Sequence, residues 1–99
     1  MKLRFFDFEV FPHWWCCTFG DMPDNMEFTE DIKDSFIVVR SDQANARDTL
    51  INLLKEPDVC NCGYNIKFYD LMIANAIYQG FTPEQVKIVN DLIIRPYEC

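Results

Sequence analysis

The sequence predicts an α/β domain, a mixed sheet with helices packed on its faces. Three observations carry that expectation. Two apolar runs, residues 2–11 and 13–19, flank a break at Pro12, as the strands of an antiparallel hairpin do. Residues 41–56 then switch to helical period between two strand-like runs, and helical crossovers favour parallel pairing. The chain is 49% hydrophobic and 15% aromatic, ample for a packed core and too apolar for disorder.

The first strand, KLRFFDFEVF, carries two acids in an apolar run. Strand side chains alternate, so Leu3, Phe5, Asp7 and Glu9 share one face while Arg4, Phe6, Phe8 and Val10 take the other. Two strand residues span roughly 6.6 Å, close enough for Asp7 and Glu9 to converge on one cation. Left unpaired and buried, the two carboxylates would repel, and one would take up a proton. A divalent metal removes both costs; a strand end that reaches solvent at a sheet margin is the simpler alternative.

After Pro12, residues 13–19 read as a second strand ended by Gly20, Asp21 and Pro23. Residues 21–34 are acidic with few apolar anchors and read as a solvated loop. Residues 36–39, Phe-Ile-Val-Val, form a short β-branched third strand. In residues 41–56 the stripe Ala46, Leu50, Leu53 and Leu54 marks a helix that Pro57 closes. Residues 59–64 return to strand, expected to be buried on both sides. From about Lys67 a second helix carries Phe68, Leu71, Met72, Ile73, Ala76 and Ile77, and stops at Gly80. Thr82, Pro83 and Gln85 supply an N-cap, a first-turn proline and the partner of a capping box for a short third helix. Residues 91–95 read as another strand or an extended tail before Pro96. The order is β-β-β-α-β-α with a tail, in one domain.

No window approaches the roughly 18 apolar residues of a membrane span, and the chain opens on a strand-like run rather than a leader pattern, so a cytoplasmic location is the expectation. The five cysteines are odd in number and make no familiar disulfide pattern. A zinc site drawn from His13, Cys16, Cys17, Cys60 and Cys62 lacks the usual CxxC spacing, and adjacent strand cysteines point to opposite sides. Buried or half-buried reduced thiols are expected instead. Net charge is −7, from 16 acids and 9 bases, with no basic run to neutralise phosphates. That excludes a simple DNA-binding module more firmly than an enzyme that meets phosphate through bound metal.

A second acidic motif lies where the fourth strand meets the second helix, in CGYNIKFYDLM, residues 62–72. Asn65 can stop the strand or cap the helix, and Asp70 falls in the helix's first turn, where the dipole favours an acid. Taken together, Asp7-Phe-Glu9 on a first strand and Asn65-Ile-Lys-Phe-Tyr-Asp70 at a strand-to-helix junction resemble the first two motifs of the DEDD 3′–5′ exonucleases. The likeness is to the N-terminal proofreading region of bacteriophage DNA polymerases and runs over most of the chain, through FFDFEVFPHWW and GYNIKFYDLMIANAIYQGFTPEQVKI.

The resemblance implies a ribonuclease-H-like mixed sheet and a two-metal hydrolysis of terminal phosphodiesters, with Mg²⁺ or Mn²⁺ ions roughly 3.5–4 Å apart. Asp7 would bridge both ions, Glu9 would hold the one near the nucleophile, and Asp70 would serve the second. Phe8, Phe11 and Asn65 would meet a single-stranded DNA 3′ end, with Trp14 and Trp15 as further stacking surfaces; core packing is the competing role for the four aromatics. The family's set has a fourth acid on a later helix, a Tyr or His a few residues ahead of it. After Asp70 the chain offers only Glu84, Asp91 and Glu98, none in that pattern, and His13 lies in the wrong part of the chain. Residues 1–99 then read as a partial exonuclease-like domain, ending before the helices that complete it and weak or inactive without the remainder of a polymerase. The alternative is a non-catalytic phage-encoded protein in the host cytoplasm, whose acidic surface occupies a host nucleic-acid-binding protein.

Overall fold

The computed structural model describes residues 2–23, 34–63 and 69–94. In chain order these form β1 (Lys2–Val10), β2 (Trp15–Asp21), β3 (Ile37–Arg40), α1 (Ala46–Leu54), β4 (Val59–Gly63), α2 (Tyr69–Tyr78) and α3 (Pro83–Ile94). The strands make one mixed sheet in the order β3-β2-β1-β4. β1 and β2 form the expected antiparallel hairpin, with Asp7 opposite Thr18 and Glu9 opposite Cys16. β2 pairs antiparallel with β3, and β1 pairs parallel with β4. β3 and β4 therefore run the same way, and α1 carries the chain across the two strands between them. This is a small mixed α/β domain, consistent with a Rossmann- or ribonuclease-H-like topology.

The alternation of β1 decides where the core sits. Phe6, Phe8, Trp15, Cys17, Phe19 and Val39 share the covered face and meet Ala46, Leu50, Tyr69, Ile73, Ile77 and Val86 from the helices in a single cluster. Burying a Phe or Leu side chain contributes about 1.5–3 kcal/mol, so this face supplies the main driving force of the fold. Phe6 stacks on Phe19, and Phe8 meets Trp15 edge-on. Arg4, buried on the same face, is held by Asp21 at 2.8 Å and by Glu56, which ties the end of β2 and the segment after α1 to β1. The opposite face keeps Leu3, Val38, Cys60 and Cys62 exposed. Among the described residues the helices cover one face, not both.

Several boundaries differ from expectation for identifiable reasons. Residues 91–94 belong to α3, neither strand nor tail. Val86, Val89, Asn90 and Ile93 recur at helical spacing toward the core, so the apolar run Leu92-Ile93-Ile94 is the end of a helical stripe. The start of α3 is as read: the Thr82 N–H donates to Gln85 Oε1 at 2.9 Å, and the Gln85 N–H donates to Thr82 Oγ1 at 3.2 Å. α1 begins only at Ala46, because Asn45 takes a left-handed conformation. β4 is not buried on both sides: it lies at the sheet margin with Cys60 and Cys62 exposed. On α2, Leu71 and Met72 turn outward at 61% and 48% exposure, while Tyr69, Ile73 and Ile77 face the core.

Candidate acidic site at the end of β1

Among the described residues, β4 pairs with β1 as far as Gly63 opposite Phe6. A buried backbone N–H further along β1 needs an acceptor, because one without a partner costs about 1–3 kcal/mol. Asp70 supplies one at Phe8. It sits in the first turn of α2, is 3% exposed, and accepts the Phe8 N–H through Oδ1 at 3.2 Å. An acid 62 residues further along the chain is thereby fastened beside Asp7.

Asp7 itself points to the open face of the sheet, half-buried between Phe5 and Glu9. Its carboxyl is held above the usual carboxylate range, first by burial, then by the charges of Asp70 and Glu9. The three acids named from the sequence are thus electrostatic neighbours at one end of β1. They do not form a closed cage: among the described residues no group of three or more His, Cys, Asp or Glu side chains is arranged to hold a metal ion. Glu9 is exposed at the margin. A crevice of about 250 Å³, lined by Phe5, Asp7, Thr18 and Phe36, opens beside Asp7 on the same face.

Of the proposed nucleic-acid contacts, Phe8 must be reassigned. Its ring is 2% exposed in the core, pressed against Phe6 and Trp15, and has no free face for a base. The alternation that sends Asp7 and Glu9 outward sends Phe8 inward. Phe11 is half-buried just past the strand and stacks on Trp14 at 4.4 Å, with the Arg40 guanidinium 5.1 Å from the Trp14 ring. Trp15 is core. Asn65 lies outside the described residues, as does Glu98. His13 is exposed at the hairpin turn.

No protein family, curated protein or solved structure was found to match this chain. The site stands on its own geometry.

Two further neighbours of the acids, Tyr69 and Cys17, were given no part in this site by the sequence. Tyr69, next to Asp70, is buried, and its hydroxyl donates to Asn90 Oδ1 on α3. Burial, followed by Asp70, Asp7 and Asp91, pushes its phenol up to about 12. It therefore stays protonated at neutral pH and serves to fix α2 against α3 rather than to take a proton. Cys17 lies opposite Phe8 on the covered face, and burial, then Asp70, drives its thiol well up. Glu84 is exposed in the first turn of α3, whereas Asp91 reaches Lys87 Nζ at 2.7 Å and contributes to the field at Tyr69. Its position on α3 was hidden by reading residues 91–95 as extended.

Proposed function

We propose that this chain is the sheet-and-helix core of a ribonuclease-H-like, metal-dependent 3′–5′ exonuclease domain that acts on single-stranded DNA ends, with weak or no activity alone. The observation that carries the reading is the meeting of Asp7 from β1 with the buried Asp70 of α2, whose charge adds to burial in raising the Asp7 carboxyl. Like charges gathered at a strand end favour a divalent cation, and oxygen-only donors suit Mg²⁺ or Mn²⁺. The residues present fit such a cation as a partial set. Asp7 and Asp70 would hold it, with Glu9 reaching in from the margin; the ion would supply charge neutralisation at the phosphate and a water activated for attack.

The chain's own contributions follow from placement. Asp70 is positioned by the Phe8 N–H, so its carboxylate is oriented before any ligand arrives. Glu9, in contact with solvent, is placed to orient water. Phe5, Thr18 and Phe36 line a crevice beside Asp7 that offers apolar walls to a terminal nucleoside. The weak or absent activity proposed for the isolated chain rests on its lacking a fourth acid in the pattern of the family it resembles, since incomplete alignment of the attacking water would forfeit several kcal/mol.

The test is shortening of 5′-labelled single-stranded DNA with Mg²⁺ and with Mn²⁺, beside Asp7→Ala and Asp70→Asn. Asn at position 70 keeps an acceptor for the Phe8 N–H, so it removes charge with little change in structure. Stepwise 3′ shortening lost in both variants supports the reading. Shortening that persists undiminished in both variants would sink it for the isolated chain. The net charge of −7 would then favour the binding role, an acidic surface set against a basic groove of a host protein.

A further inference from the structure

We propose that Cys60 and Cys62 form a two-thiolate site for a soft, thiophilic cation of the zinc and copper(I) class, on the open face of β4. Both are free, exposed thiols on one short strand. Their spacing of two puts them on one side of the pleat, above the parallel partners Leu3 and Phe5. Burial first, then the adjacent Cys60, raises the Cys62 thiol above its ordinary range, as close sulfurs do. They are therefore already side by side and turned outward.

Geometry separates a shared cation from a disulfide. Strand residues two apart have Cα atoms roughly 6.6 Å apart, at the wide limit of disulfide geometry, and an S–S bond near 2.05 Å would pull them out of the ladder. A tetrahedral cation with metal–sulfur bonds near 2.3 Å asks for sulfurs roughly 3.8 Å apart, a separation within reach of two cysteine side chains on the same side of a strand. The extended strand thus favours two sulfurs on one ion over two sulfurs bonded together.

The remaining thiols are differently placed. Cys16 shares the open face but lies on β2, with β1 between it and β4, and Cys17 is buried on the covered face. With no third His, Cys, Asp or Glu joining the pair among the described residues, the other coordination positions fall to water or a small thiol. The site is open and exchangeable rather than a structural zinc site. All-sulfur donors reject Mg²⁺, which distinguishes this site from the carboxylates at the end of β1. On binding, each thiol passes its proton to the buffer as its sulfur bonds the metal.

The experiment is titration of the reduced protein with Cd²⁺ alone, in a Cys99→Ser background that removes the fifth thiol from competition. Expected are one Cd²⁺ per chain, thiolate-to-cadmium charge-transfer absorbance, and close to two protons released per ion. Cys60→Ser and Cys62→Ser should each weaken binding by at least about tenfold, since each removes half the protein ligands, while Cys16→Ser leaves it unchanged. Both positions are exposed, so serine there leaves the core intact. Cd²⁺ uptake that persists in the Cys60→Ser/Cys62→Ser double variant overturns the proposal, as does uptake by the parent without proton release.

Discussion

At the scale of single residues, Asp7 gathers most of the chemistry. Its carboxyl is raised by burial, Asp70 and Glu9, so the folded chain holds a proton there more tightly than the unfolded chain. The sign follows from linkage. The stabilising contribution of protonated Asp7 is full below the ordinary carboxylate value of about 3.9, and it is lost as pH rises through the higher folded value. Asp7→Asn should therefore be more stable than wild type at neutral pH without divalent cations, and the difference should vanish at acid pH. Urea melts of both proteins across that range check this; a variant less stable at neutral pH would mean that the ionised carboxylate has a favourable partner. The outward side of Asp7 and Glu9, and the inward side of Phe8, were legible from strand alternation alone. The burial of Asp70 was not. It depends on the first turn of α2 meeting the β1 backbone at Phe8, 62 residues away in the chain, which no local pattern records.

At the scale of elements, the strands are specified twice, by alternation and by what crosses them. Gly20 is where β2 passes beneath the Phe5 ring. A Cβ there would lie 2.2 Å from Phe5 Cζ and 2.9 Å from Phe36 Cε1. The aromatic ring covers the glycine of the neighbouring strand and shields its backbone, a pairing that offsets the poor strand propensity of glycine. Gly20→Ala should push Phe5 off this seat and destabilise the domain by about 1–3 kcal/mol. Because Phe5 also walls the crevice beside Asp7, the substitution should change that crevice too. Adding Phe5→Leu should recover part of the loss, and a double-mutant cycle by thermal melting measures it; strictly additive effects would mean that the ring is not the obstacle. Helical elements were legible where chemistry marks their ends, as the reciprocal Thr82–Gln85 bonds do for α3. They were misread where apolar composition stood in for period. Residues 91–94 looked like a strand because three apolar residues are adjacent, although two of them continue the stripe from Val86 and Val89. Leu71 and Met72, in the same apolar run as Ile73, point outward.

At the scale of the molecule, charge and topology bear on the same end of the sheet. The hairpin brings β1 between β2 and β4, so the acids of β1 sit at the sheet's middle strands, and α2 then delivers Asp70 to the same place. The chain as a whole carries −7, and such a surplus repels itself, so any salt should stabilise the fold by screening. A divalent cation held by the acids would add a second contribution that screening does not explain. At a concentration tenfold above its dissociation constant, a ligand specific to the folded state contributes about 1.4 kcal/mol, and each kcal/mol raises the melting temperature of a domain this size by about 4–8 °C. MgCl₂ should accordingly raise the melting temperature further than NaCl at equal ionic strength. That excess should shrink in Asp7→Asn and in Asp70→Asn and stay intact in Cys60→Ser, because magnesium prefers oxygen donors. An equal rise with both salts would assign the whole effect to screening and leave the acids without a cation. A Mg²⁺ excess that survives both acid substitutions would place its binding elsewhere on the chain, and the hydrolytic reading of the β1 end would fall with it.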